Sequence, residues 1–348
     1  EFVYPNVEMT REIVLDYDYN GNFIFNTSGY HKKYNKNSKD LVFINNLEYN
    51  SYDYISKKGL KNKFNILLKN VNTNGDNSTK YSNNSTNKFL SAFLFESSLP
   101  MRKVGSNYDS LLKPIASLRV SPTETKSMVN SDRRIDINNI FSTNRISEND
   151  SVEGGESLTI GTEYTLSKKR LDYDDYFSFN IATVLRNEEN LDLPTNSTIG
   201  KKTSDIIGNT KFKPSKYFDV DYSFSIDNNL DTSNYDLVKT NLSLNNFVTS
   251  FEYLQEGGDI GNKSYIGNKT SYSFDKSNSL SFSTRKNKKT NLTEFYNLMY
   301  QYRNDCLTAA VEYNKEYYND DDLEANEQLL FTITIMPFGS ASSPNLTN

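Results

Sequence analysis

Few side chains in this sequence have the type and spacing that chemistry requires. There is one histidine, His31, and one cysteine, Cys306, too few for a Cys/His zinc tetrad, and His31 has no Ser or Asp context that marks a serine-histidine-aspartate constellation. The acidic runs Asp174-Asp175, Glu188-Glu189 and Asp320-Asp321-Asp322 offer general acid/base dyads or calcium ligands on paper. None has the spacing of a calcium loop, and charge runs of this kind are ordinarily solvated. Glu256-Gly257-Gly258-Asp259 and the stretch Asp150 to Gly155 contain glycines but lead into no helix, which removes the phosphate-cradle reading. Triplets such as Asn196-Ser197-Thr198 are expected by chance in a chain so rich in Asn and Ser. No catalytic residue, metal site or cofactor is therefore expected. Cys306 is a buried small hydrophobe, a free thiol, or half of a bridge to a partner outside this chain.

Composition narrows what must position the remaining residues. The 348 residues carry 39 Lys and Arg against 44 Asp and Glu, a net charge of -5, with no basic stripe to track a phosphate backbone. Nucleic acid is not an expected partner. No run approaches the roughly 18 apolar residues of a transmembrane helix. Yet 25 Tyr and 21 Phe are too many aromatics for a disordered chain. The opening EFVYPNVEMT lacks the regions of a signal peptide, so the expectation is a cytoplasmic protein or one whose N-terminal part has been removed.

Period-two alternation is the dominant pattern. Between Tyr217 and Ile226, the residues Phe218, Val220, Tyr222, Phe224 and Ile226 share one face, while Asp219, Asp221, Ser223 and Ser225 share the other. The pattern recurs through Phe177, Phe179 and Ile181, through Tyr296, Leu298, Tyr300 and Tyr302, and through Leu329, Phe331, Ile333 and Ile335. Less regular candidates are Asn22 to Lys32, Leu41 to Tyr52, Lys61 to Val71, Lys88 to Ser97 and Leu112 to Val120. The fold class is all-β: an antiparallel outer-membrane β-barrel of about 16 strands, each near the roughly 9 to 11 residues that a tilted membrane strand needs. The barrel is expected over 1–339, partial and not necessarily closed within this chain, with a tail over 340–348.

Connector lengths alternate. They are short at Lys213 to Lys216, Asn245-Asn246 and Arg303 to Asp305, and long at Arg186 to Thr203 and Glu256 to Ser264. Outer-membrane barrels have short periplasmic turns and longer external loops. This parity puts the long polar stretch from Asp132 to Glu153 outside, and the turn before Cys306 on the periplasmic side.

The run NNIFSTNRISENDSVEGG (Asn138 to Gly155) stands between LLKPIASLRVSP (Leu111 to Pro122) and two later segments, YRNDCLTAAVEYNKEY (Tyr302 to Tyr317) and LLFTITIMPFG (Leu329 to Gly339). Together they resemble the barrel domain of the lipopolysaccharide-assembly family LptD, also called the organic-solvent-tolerance family. Asn144, Arg145, Asp150, Glu153, Gly154 and Gly155 match its loop motif, while Ser151 stands where an arginine is usual.

That resemblance implies transport of lipopolysaccharide and its insertion into the outer leaflet of a Gram-negative outer membrane, through a barrel that opens sideways. The alternatives are a closed porin-like channel and a surface β-rich adhesin. The implied partners are lipopolysaccharide, outer-membrane lipid, an LptE-like plug lipoprotein, the barrel-assembly machinery, and an LptA-like periplasmic bridge reached through a missing N-terminal domain. Cys306 is implied to form a disulfide to that domain. Ile140 and Phe141, with Asn144, Arg145, Asp150, Glu153, Gly154 and Gly155, are expected to form an external loop that caps the lumen, with Phe141 inside the barrel mouth. Leu329, Phe331, Ile333, Ile335 and Pro337 are expected on the strand that forms one lip of the lateral gate.

Overall fold

A computed structural model describes residues 2–14, 21–34, 37–146, 148–169, 175–317, 326–336 and 339–342. Among them the chain forms twenty β-strands. The first eight are β1 (Phe2–Val14), β2 (Gly21–Lys33), β3 (Lys39–Ser51), β4 (Tyr54–Ile55), β5 (Lys61–Asp76), β6 (Thr86–Ser98), β7 (Met101–Val104) and β8 (Tyr108–Ser121). After the long connection come β9 (Gly155–Lys168), β10 (Asp175–Arg186), β11 (Ile206–Ser215), β12 (Phe218–Ile226), β13 (Ser233–Leu244) and β14 (Phe247–Glu256). The last six are β15 (Ser264–Ser273), β16 (Asn278–Asn287), β17 (Thr293–Arg303), β18 (Leu307–Glu316), β19 (Glu327–Ile335) and β20 (Gly339–Ser342). The fold is the all-β antiparallel sheet that alternation predicts.

Two differences from the sequence reading concern its ends and the strand count. The strand expected from Asn22 is not the first. It pairs along one edge with β1 and along the other with β3. β1 escapes the pattern because Pro5 lies where its register shifts, between Val3 and Asn6, and Arg11 breaks its apolar row. The count of about 16 also leaves out β4, β7 and β20, which are too short to alternate visibly. β20 includes residues expected as tail, and pairs with β19 from Thr332 to Ile335.

The chain divides into two compact units. Unit 1 comprises Glu1–Val104, Ser110–Tyr164 and Asn180–Gly208; unit 2 comprises Gly105–Asp109, Thr165–Phe179 and Asn209–Asn348.

In unit 1 the two faces of the sheet differ. Val42 and Ile44 of β3, Leu67 and Val71 of β5, and Leu90, Ala92 and Leu94 of β6 are buried, while Leu41, Phe43, Phe64, Phe89, Phe93 and Phe95 on the opposite face are exposed. Register carries this from strand to strand. Leu67 lies opposite Ala92 and Leu94 opposite Arg119 on the covered face; Phe64 lies opposite Phe95, and Phe95 opposite Leu118, on the open one. Phe23, Tyr49, Phe64 and Phe93 form an aromatic chain across the open face, with successive ring centroids 5.0, 5.6 and 6.4 Å apart. The covering comes from residues 122–154 and 187–205, which add Met128, Ile135, Ile140, Ile146, Val152, Leu193 and Ile199 to the buried clusters.

Unit 2 also keeps an apolar face, but its other face is mainly polar, with Phe295, Met299 and Leu330 among its exceptions. Phe282 lies opposite Leu298, Leu298 opposite Tyr313, and Tyr313 opposite Leu329. The adjacent row runs Leu280, Tyr300, Val311, Phe331. On the reverse face Ser283, Asn297, Asn314 and Gln328 are aligned in the same way. Such a pair of faces follows directly from the two-residue repeat of a strand.

Candidate functional site

The connection from β8 to β9 is built from local turns that aim apolar residues at the sheet. Asp136 Oδ1 accepts from the backbone N–H of Asn138 and Asn139, at 2.7 and 3.1 Å, and the Ile140 N–H donates to the Asp136 carbonyl at 3.0 Å. This turn drives Ile140 into a cluster with Met128, Ile135, Ile146, Ala182, Val184, Leu193, Ile199 and Ile207, and Phe141 packs half-buried against it. The 187–205 connection is tied alongside: Met128 N–H donates to the Asp192 carbonyl at 2.7 Å and Thr195 N–H to the Val129 carbonyl at 3.2 Å.

The charged centre of this cover is Glu153, fully buried. Arg145 grips it as a fork, with Nη2 at 2.5 Å from Oε1 and Nε at 3.0 Å from Oε2. Arg186 Nη1 donates to the same Oε1. Arg119 stands 3.9 Å from the carboxylate and spends its donors on the backbone, with Nη2 to the Glu153 carbonyl at 2.6 Å and Nε to the Thr143 carbonyl at 2.7 Å. Ser157 and Thr159 of β9 accept from Arg145 at 2.7 and 3.2 Å. Burial pushes the Glu153 carboxyl up, but Arg145, Arg119 and Arg186 outweigh it and hold it at about 2. A carboxylate so firmly ionised, with its oxygens taken by arginines, can neither trade protons nor reach a substrate. Its role is to bind the loop to β8, β9 and β10.

Gly154 and Gly155 let the chain pass this centre. A Cβ on Gly154 would sit 2.2 Å from the Thr123 carbonyl oxygen, and Gly155 has a φ of +87°, which favours glycine. The Gly154 N–H donates to Thr125 Oγ1 at 2.8 Å.

A second anchor lies earlier in the loop. Asp150 Oδ2 accepts from Tyr81 Oη at 2.8 Å and Lys126 Nζ at 2.6 Å, with Lys80 Nζ at 3.4 Å. Burial opposes ionisation of Asp150, yet the hydrogen bonds from Lys126 and Tyr81 and the charges of Lys126 and Lys80 bring it to about 2. Burial pushes the Tyr81 hydroxyl well above its usual range, and its bonds to Tyr30 and Asp150 push it the same way. Beside it, buried Lys69 of β5 donates to three loop carbonyls, those of Glu148, Asn149 and Ser151, at 3.0, 2.9 and 3.4 Å. Ser151 is itself buried, a position a small side chain fills where the family motif has arginine.

Of the loop residues expected from the sequence, the structure pairs Arg145 with Glu153, while Asp150 belongs to a separate network and Asn144 is half-buried. Sequence reasoning missed Lys69, Arg119 and Arg186. The available signal was phase: each is a cation in step with buried residues, as in Leu67-Lys69-Val71, Ser117-Arg119-Ser121 and Ala182-Val184-Arg186.

The other expected residues lie in unit 2. Leu329, Phe331, Ile333 and Ile335 share the apolar face of β19, and Pro337 lies outside the described residues. Cys306 is exposed in the turn before β18, its N–H donating to Asn304 Oδ1 at 3.0 Å and its carbonyl accepting from Met336 at 2.9 Å. Among the described residues no group of three or more His, Cys, Asp and Glu is arranged to hold a metal.

Residues 50–265 match the family model of LptD, described as LPS transport system D. No curated protein matches the chain. Among solved structures, engineered variants of the Rhodopseudomonas blastica porin are similar to it. A double mutant is 10% identical over 93% of this chain and 98% of its own, with a TM-score of 0.36. Two triple mutants are each 8% identical with TM-scores of 0.34; one covers 93% of this chain and 98% of its own, the other 89% and 96%.

Proposed function

The chain belongs to the LptD family of lipopolysaccharide transport, and from that premise we propose that it forms part of an outer-membrane β-barrel that delivers lipopolysaccharide sideways into the outer leaflet. One observation carries the membrane part of this reading. Register aligns exposed apolar residues into continuous faces in each unit, such as Phe64, Phe93, Phe95 and Leu118 in unit 1 and Leu298, Tyr300, Phe331 and Ile333 in unit 2. A soluble protein rarely leaves apolar surface of that extent open, whereas a lipid-facing strand requires it. A sandwich adhesin would bury these aromatics between sheets.

Lateral delivery needs a seam whose strands part, because an amphiphile cannot carry its acyl chains through a closed hydrogen-bonded wall. β19, with Leu329, Phe331, Ile333 and Ile335 on its apolar face, is the proposed lip. Among the described residues β20 pairs with its far edge from Thr332 to Ile335. The polar face of unit 2, with Ser283, Asn297, Asn314 and Gln328 in register, suits an LptE-like plug lipoprotein. Cys306, exposed in its turn, suits a disulfide to an N-terminal periplasmic domain that would lead to an LptA-like bridge.

The test is depletion of the parent protein in its own cell while surface arrival of newly made lipopolysaccharide is followed. Arrival stops under this reading and resumes on re-expression. Undiminished arrival during full depletion contradicts it.

A further inference from the structure

The second anchor of the loop in unit 1 has an open side that the anchoring leaves unused. A cavity of about 210 Å³ opens between residues 80, 126–131 and 148–150, lined by Lys80, Lys126, Asn130, Ser131, Glu148 and Asp150. Two ammonium groups converge there on a single oxygen, Asp150 Oδ2, with Lys126 at 2.6 Å and Lys80 at 3.4 Å. Both also stand over the Tyr81 ring, 4.5 and 5.2 Å from its centroid. An ammonium has three donors. The Asp150 contact uses one on each lysine, and the lysine side chains remain 29% and 52% exposed.

The charge balance points the same way. Lys80 and Lys126 share Asp150, the buried Lys69 faces Asp150, Glu48 and Glu148, and Arg133 stands a full 4.0 Å from Glu148. Holding two lysines against one carboxylate oxygen works against their mutual repulsion. A doubly charged anion on their open side relieves it, and a phosphate monoester has the charge and the several acceptor oxygens to bridge both ammonium groups. Asn130, which also lines the cavity, provides an amide for an attached sugar, while the Ser131 hydroxyl is held by Glu148 at 2.8 Å.

We propose that the Lys80–Lys126 pair is a docking point for a phosphate monoester, supplied by the phosphorylated sugar head group of the transported lipid. The assignment of the lipid rests on the transport function above; the anion site itself does not.

The experiment is titration calorimetry on the purified full-length parent protein in detergent. Three probes are compared: diphosphorylated lipid A, the same lipid after phosphatase treatment, and inorganic phosphate. The wild type binds the phosphorylated lipid about tenfold or more tightly than the dephosphorylated one, as loss of hydrogen bonds to a charged group implies. Lys80→Gln, at a half-exposed position, abolishes that preference, and Lys57→Gln in the turn before β5 leaves it unchanged. Glu148→Gln, which removes an opposing charge, tightens phosphate-dependent binding. A preference that survives Lys80→Gln, or its absence from the wild type, overturns the site while leaving transport standing. If neither lipid binds, the transport function is contradicted, and inorganic phosphate decides the site by whether Lys80→Gln weakens it. Inorganic phosphate binding as tightly as the lipid assigns the site to the free ion instead.

Discussion

Units 1 and 2 are made of the same kind of strand, yet they treat the face opposite their apolar surface in different ways. In unit 1 that face carries Val42, Ile44, Leu67, Val71 and Ala92, and the chain buries it under its own 122–154 and 187–205 connections. In unit 2 it carries Ser283, Asn297, Asn314 and Gln328, and the described connections there add nothing to the buried clusters. An apolar inner face demands a cover, and a cover made of loop has backbone groups that must be satisfied away from water. The cations in phase with the buried rows meet that demand. Lys69, Arg119 and Arg186 donate to the carbonyls of Thr143, Glu148, Asn149, Ser151, Glu153 and Gly154. A cation in an alternating strand, which usually marks the water side, here marks where a loop is gripped.

The comparison breaks most readily at Glu153. Glu153→Gln leaves Arg119, Arg145 and Arg186 buried without a counter-charge, and the expected cost is about 3 to 5 kcal/mol of the stability of the cover. Limited proteolysis should cut within 122–154 in the variant while the strands of unit 2 stay protected. Next in size is Ile333→Lys on the open face of unit 2, expected to cost about 2 to 4 kcal/mol if that face meets the middle of a bilayer. Thr332→Lys, one residue along on the polar face, should cost close to nothing; refolding into lipid vesicles at increasing urea measures both. Lys69→Met follows, at about 1 to 3 kcal/mol for the carbonyls left without a donor. Hydrogen exchange should quicken at 148–151 and not around Glu153.

The smallest effect under ordinary conditions is that of pH. Asp150 and Glu153 titrate at about 2 in the folded chain, below their ordinary values of 3.8 and 4.5. Depressed carboxyls add stability that is complete above the unfolded values and is lost as pH falls toward the folded ones. Protease resistance of the cover should hold level from neutrality down to about pH 5, then decline as the pH drops toward about 2. A cover that loosens between pH 8 and 6 would mean that other groups hold it.

Much of this was legible in the sequence, and what was not has a physical reason. Alternation is written locally, so β12, β17 and β19 can be read from their own residues. Ile140, Arg145, Glu153 and the Gly-Gly pair stood out as a loop motif, and the structure buries the first three. The partners did not stand out because they depend on register. Nothing in Leu118-Arg119-Val120 says that Arg119 will lie opposite Leu94 and beneath Glu153. β1 was hidden by Pro5 and Arg11, although β2 imposes strand geometry on it through pairing from Phe2 to Val14. The expected capping and gating roles came from the family resemblance and not from alternation, which is a property of single segments.

The central claim is that the open apolar faces meet lipid. Its most direct test is spin-label accessibility along Leu330, Phe331, Thr332 and Ile333 of this chain in bilayers, with Cys306, its one cysteine, replaced by serine so that each label is unique. Oxygen, which concentrates in lipid, should broaden the signals at Phe331 and Ile333, and a water-soluble nickel chelate those at Leu330 and Thr332, alternating residue by residue. Equal access of the chelate to all four positions would contradict the membrane barrel and the transport route built on it.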